Sequence, residues 1–94
     1  MRLYEALFIL RPDLNKEEVE SLLKKVEEFI QKGGGEIKER LEWGVKKLAY
    51  PIKKFSEGYY AIYTFQGEKD LAEDFKHAFS REEKILRKLL FRKK

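Results

Sequence analysis

The chain has no cysteine, two prolines, six glycines, one histidine and one tryptophan. Without a thiol it can form no disulfide, no thiolate metal site and no cysteine nucleophile, which suits a reducing compartment. It has no apolar run near the roughly 18 residues that cross a bilayer. The basic start, apolar stretch and small-residue cleavage site of a signal peptide are missing too, so a cytoplasmic protein without a membrane partner is expected. No spacing of ligating side chains marks a metal site. His77 falls beside Asp74, off the apolar stripe of its helix, where a solvated side chain is expected. No pair among the acidic residues stands out for acid–base work, so no enzyme activity, cofactor or small-molecule substrate is expected.

Charge is what the chain has in quantity: 40% of its 94 residues are charged, mostly Lys and Glu, with a net charge of +4. That length predicts one domain, residues 1–94, with a single hydrophobic core.

The most informative stretch runs from Glu42 to Ile52. Val45, Leu48, Tyr50 and Ile52 suit a pleated, half-buried strand. Gly44 inside that pattern predicts a bulge, and Pro51, unable to donate to a ladder, restricts its position to an edge strand, a strand end or a bulge. The expectation is a bent edge strand carrying Lys46 and Lys47 into a turn with Lys53 and Lys54.

Around it the pattern is regular. Met1–Leu10 alternates as a central strand, with Tyr4, Ala6, Phe8 and Leu10 on the core side. Asn15, with Glu18 three residues on, predicts a capping box. Val19, Leu22, Leu23, Val26, Phe29 and Ile30 form the buried stripe of a helix that Gly33-Gly34-Gly35 ends. The chain alternates again from Glu36. Gly58 is expected to close a turn before a strand over Tyr59–Gln66, whose core parity is Tyr59, Ala61, Tyr63 and Phe65. A second helix is expected over Lys69–Ser80, with Leu71, Ala72, Phe75, Ala78 and Phe79 as its stripe, and a last strand over Ile85–Phe91. Two helices must then cover one face of a four-stranded antiparallel sheet. This is an α+β, ferredoxin-like βαββαβ sandwich, with the first and third strands central.

On that fold the acidic residues collect on the helices. The hairpin and last strand are basic, and residues Lys84–Lys94 hold Lys84, Arg87, Lys88, Arg92, Lys93 and Lys94 without an acid. Such polarity points to a polyanion. On the face away from the helices, Leu7, Ile9, Tyr60, Ile62, Leu89 and Phe91 should lie together around Glu5 and Arg87, a surface apolar enough to expect a protein partner. The alternative is a partly solvated sheet on which Glu5 and Arg87 pair across strands.

A free-standing RNA-recognition domain shares this strand order and stacks bases on sheet aromatics. The stretch Glu57–Phe65 lies where its third-strand signature belongs, but Glu57 replaces the leading basic residue, Ala61 stands at a stacking position and Tyr59 has core parity. Small hydrolases of the same fold cradle phosphate in a glycine-bearing loop after the first strand, and Arg11-Pro12-Asp13-Leu14 has no glycine.

The opening Met1-Arg2-Leu3-Tyr4-Glu5, Pro12, Glu42-Trp43-Gly44, Lys46-Lys47-Leu48-Ala49-Tyr50-Pro51-Ile52, Gly58-Tyr59 and Arg87 together resemble the family of the sixth protein of the bacterial small ribosomal subunit. The resemblance covers essentially the whole chain, and Leu48–Ile52 is its specific part. It implies a structural role in the ribosome, bound to the central domain (platform) of small-subunit (16S) rRNA as a heterodimer with the eighteenth small-subunit protein. Carried over position by position, it implies rRNA contacts at Arg2, Lys53, Lys54, Arg87 and Arg92, with Lys93 beside Arg92 in the basic tail. The open-face residues Leu7, Ile9, Tyr60, Ile62, Leu89 and Phe91 are expected to bind the partner.

Overall fold

The structure, a computed structural model, describes residues 1–93; Lys94 of the basic tail lies outside them. Strand β1 (Arg2–Leu10) follows the alternation of its sequence. Tyr4, Ala6, Phe8 and Leu10 are buried against the helices, and Leu3, Glu5, Leu7 and Ile9 take the other face. Helix α1 (Lys16–Lys32) starts on the expected capping box. The Glu18 N–H donates to Asn15 Oδ1 at 2.8 Å and the Asn15 N–H donates to Glu18 Oε1 at 3.1 Å. At its other end Gly34 takes the left-handed conformation at φ +84°, while the Gly35 N–H bonds the Ile30 carbonyl at 2.8 Å and the Gly34 N–H that of Gln31 at 3.1 Å. Those two bonds satisfy carbonyls that the helix end would otherwise leave without partners.

Strands β2 (Glu36–Ile52), β3 (Phe55–Gly67) and β4 (Ile85–Lys93) and helix α2 (Lys69–His77) complete the chain. The sheet order is β2-β3-β1-β4, antiparallel throughout, so β1 and β3 are central and β2 is an edge, as the sequence predicts. The β2–β3 register shifts between Glu42 and Gly44, and Gly44 sits at φ +77°, which is the predicted bulge. Both helices pack on one face over an aromatic centre, where the Phe75 ring lies 5.6–6.4 Å from those of Phe8, Phe65, Phe29 and Phe79.

β4 runs two residues past the expected Phe91, to Lys93, and two boundaries differ by more than that. β3 begins at Phe55 rather than Tyr59, because Lys53 (φ 48°) and Lys54 (φ 75°) form a two-residue turn that lets Ile52 pair with Phe55. Such a turn is normally signalled by Asn-Gly or Asp-Gly, and two lysines give no such signal. Gly58, expected to close the turn, is instead buried within the strand. A Cβ there would stand 2.4 Å from Ile9 Cγ2, so the glycine lets Ile9 close against the hairpin.

Helix α2 stops at His77 although its apolar stripe continues to Phe79. Ala78 is extended and Phe79 takes φ 62°, turning its ring back toward Phe29 at 5.6 Å and Phe8 at 6.4 Å. From β4, the Lys88 ammonium donates to the carbonyls of Phe75 (2.7 Å), Lys76 (3.2 Å) and Ala78. A cation at the helix C-terminus satisfies orphan acceptors and complements the dipole. Burial pushes the Lys88 pKa below its ordinary value.

Candidate nucleic-acid interface

The basic side chains implicated by the sequence do not form one patch. Tyr4 and Arg92 are register partners and Arg2 shares the parity of Tyr4, so Arg2 and Arg92 both project on the helix side at one end of the sheet. They line a cavity of about 200 Å³ together with Lys69, Glu73 and Lys76 of α2, over Tyr4, Ala72 and Leu90. Lys69 and Lys76 belong to no motif and are not among the residues that sequence reasoning implicates. Their separation of seven residues, two helical turns, puts them on one face of α2 and is the signal that could have found them.

Lys93 faces the other way. It pairs with Leu3 across the ladder, and its Nζ lies 3.7 Å from Glu5 Oε2. The expected alternative pairing of Glu5 with Arg87 is not what the register gives. Glu5 stands opposite Phe91 and Arg87 opposite Ile9, and Arg87 Nη1 donates to the Tyr50 hydroxyl at 2.8 Å.

Arg87 therefore belongs to the opposite end of the sheet, with the hairpin tip. Lys53 lines a shallow recess with Ser80, Arg81, Glu82 and Glu83, and both Lys53 and Lys54 are exposed. The nine residues of β1 at 3.3–3.4 Å each separate the two basic ends by about 30 Å. Among the described residues, none of Arg2, Lys53, Lys54 and Arg92 takes part in an ion pair.

Between those ends lies the open sheet face, and the register puts Leu7, Ile9, Tyr60, Ile62, Leu89 and Phe91 together on it. Their availability is uneven. Ile9 and Ile62 are already buried within the chain at 6% and 9% exposure, Leu7, Tyr60 and Leu89 are half-buried, and Phe91 is 51% exposed. Two residues outside the expected set enlarge the face. Leu41 pairs with Ile62, and Trp43, set free by the bulge and 54% exposed, stacks on Tyr60 with ring centroids 6.3 Å apart and planes 22° apart. Lys46 Nζ lies 5.4 Å from the Trp43 ring centroid, a distance at which a cation is attracted to the ring face.

The helix side of β2 is saturated by contrast. Arg40 bonds Glu27 at 2.8 Å and Glu20 and Glu42 at 2.9 Å, while Tyr63 donates to Glu27 and Tyr59 to Glu42, each at 2.7 Å. Burial opposes the Arg40 charge, but the groups around it, Tyr63, Glu42 and Glu20, outweigh burial and hold the guanidinium protonated. The Glu42 bond, with burial second, pushes the Tyr59 pKa up to about 12. Among the described residues there is no cluster of metal-ligating side chains and no helix long and apolar enough to cross a membrane.

A family model described as Ribosomal protein S6 matches residues 3–92. Small ribosomal subunit protein bS6 of Caldanaerobacter subterraneus is 41% identical over 92 residues, covering 98% of this chain and 97% of that protein. The bS6 protein of Clostridium novyi is 39% identical over 87 residues, covering 93% and 92%. Among solved structures, 30S ribosomal protein S6 from Thermotoga maritima superposes with a TM-score of 0.92 at 32% identity, over 98% of this chain and 87% of that one. Since the matched stretch reaches into every element from β1 to β4 and the relatives share nearly its full length, the chain belongs to the ribosomal protein S6 family of the small ribosomal subunit.

Proposed function

We propose that the protein is a non-catalytic structural component of the ribosome, acting in the cytoplasm. In this reading it binds the central domain of small-subunit (16S) rRNA as a heterodimer with the eighteenth small-subunit protein. The observation that carries the proposal is the coexistence of two uncommitted surfaces on one fold. Unpaired cations stand at both ends of the sheet, and an apolar face lies between them. Arg2 and Arg92 at one end, and Lys53, Lys54 and Arg87 at the other, make phosphate contacts that fix position; shape and the partner supply selectivity. The partner covers Trp43, Tyr60, Leu89 and Phe91, with Lys93 at the rim of that contact rather than on the RNA beside Arg92.

The test is binding to a central-domain rRNA fragment, with and without the partner, across a salt series. The heterodimer reading expects tight binding that requires the partner and falls steeply with salt. A second reading, a free-standing RNA-recognition domain, is favoured by one feature, the exposed Trp43 stacked on Tyr60 beside Lys46, which could serve as a base platform. That reading expects equally tight binding without the partner, tolerance of salt, and its loss in Trp43→Ala.

A further inference from the structure

We propose that the cavity between α2 and the ends of β1 and β4 seats a single phosphate group, held by Lys69 and Lys76 together with Arg2 and Arg92. This rests on the reading of Arg2 and Arg92 as rRNA contacts and deepens it by giving them a shared ligand and two further partners. Four cations from three separate elements line one cavity of about 200 Å³, large enough for one tetrahedral anion, against the single carboxylate of Glu73. None of the four is neutralised by an ion pair among the described residues, and all four are exposed. Four positive charges gathered around one carboxylate repel one another, and an anion between them lowers the repulsion.

The chemistry of the lining suits a phosphate rather than a carboxylate partner. Two guanidinium groups offer planar, paired donors from the sheet end, and two ammonium groups offer point charges from the helix. A tetrahedral phosphate can accept from both sides at once. Glu73 lies four residues after Lys69 and three before Lys76, within reach of either ammonium. It forms no ion pair with them among the described residues, and its charge opposes the incoming anion. Under the proposed function the phosphate belongs to the rRNA backbone; the same seat accepts free phosphate.

The experiment has two arms. In the first, the protein is titrated with inorganic phosphate against chloride at matched ionic strength, following backbone amide shifts by NMR. Saturable shifts at Arg2, Lys69, Lys76 and Arg92 are expected, lost in the double variant Lys69→Gln/Lys76→Gln and strengthened several-fold in Glu73→Gln. Shifts that do not saturate, or that spread equally over Lys38, Lys46 and Lys47, overturn the seat. In the second arm, rRNA binding is measured across salt. One shared phosphate predicts that Arg92→Ala and Lys69→Gln/Lys76→Gln each flatten the log–log slope by about 0.7–0.9, and that combining them flattens it no further. Additive losses overturn the single seat. Saturable phosphate shifts with an unchanged rRNA slope leave the seat standing and remove rRNA from it, which separates failure of the functional reading from failure of this inference.

Discussion

The two faces of the sheet are made from alternate residues of the same strands, yet they end in opposite states. On the helix side Phe8, Tyr63, Phe65 and Phe75 are fully buried, and the polar groups at the margin are spoken for by Arg40, Glu27 and Glu42. On the other side Trp43 and Phe91 are more than half exposed, and cations stand around them unpaired or loosely paired. The difference separates residues that hold the fold from residues left over for something else. It also shows that the division does not follow parity alone. Ile9 and Ile62 have open-face parity but are buried within the chain, Ile9 with the close approach of Gly58, so they serve the fold.

The largest effects should fall along that division. Phe8→Ala empties the centre of the aromatic cluster and should cost about 3–5 kcal/mol in urea unfolding. Phe91→Ala should cost no more than about 1 kcal/mol and, under the proposed heterodimer, weaken partner binding. Parity by itself makes a charge at Ile62 or Leu89 the natural interface probe. With Ile62 buried, Ile62→Glu should unfold much of the protein, because an unpaired carboxylate would be taken out of water. Phe91→Glu is the clean probe: it should stay folded and, under the proposed heterodimer, lose the partner. Equal destabilisation by the two Glu variants would erase the contrast between the faces.

Two glycines sharpen the contrast, since each is required for a different reason. Gly58 is required by space, and Gly58→Ala, pressing on the buried Ile9, should cost about 1–3 kcal/mol. At Gly44 a Cβ would meet nothing within 4 Å, so the glycine is required by its backbone alone, at φ +77°. Gly44→Val should cost about 1–2 kcal/mol. Thermal melting of both variants distinguishes a strand that closes on its neighbour from one that bends at a bulge. A Gly44→Val protein with wild-type stability would mean that the edge strand straightens without penalty.

The same residues mark which features of the fold are legible in the sequence. The alternation of β1, the Asn15–Glu18 box and the Gly44 bulge are local, so the sequence carries them within a few residues. The end of α2 is not, because Lys88 reaches its last carbonyls from β4 and Phe79 turns toward Phe8 and Phe29. The grouping of Arg2 and Arg92 follows from strand order, whereas Lys69 and Lys76 join them only through the way α2 lies across the sheet end. The pairing of Glu5 with Lys93 rather than Arg87 depends on a register that parity leaves open.

A smaller effect tests whether the Arg40 margin really belongs to the covered side. Tyr59 is neutral when protonated, and its pKa in the fold is pushed from 10.0 to about 12, first by its bond to Glu42. The folded value lies above the unfolded one, so the contribution is fully present below pH 10 and lost as the pH rises toward 12. The difference in unfolding free energy between the protein and Tyr59→Phe should be constant in mildly alkaline solution and shrink across that window. A difference that stays level across it would mean that the Tyr59–Glu42 bond contributes nothing to stability.

The smallest effect lies at the hairpin tip, where the sequence works against its own local geometry. A turn with φ positive at both central residues favours glycine at the second, yet Lys54 sits there at φ 75°. Lys54→Gly should relieve that strain and raise stability, by about 0.5–1 kcal/mol. If the tip is retained for its charge, the same variant should bind the rRNA fragment more weakly and with a salt slope shallower by about 0.7–0.9. A gain in stability with unchanged RNA binding would remove Lys54 from the contact set and leave the hairpin end to Lys53 and Arg87. No gain in stability would instead mean that the lysine side chain offsets its own strain, through contacts that the tip makes in solution.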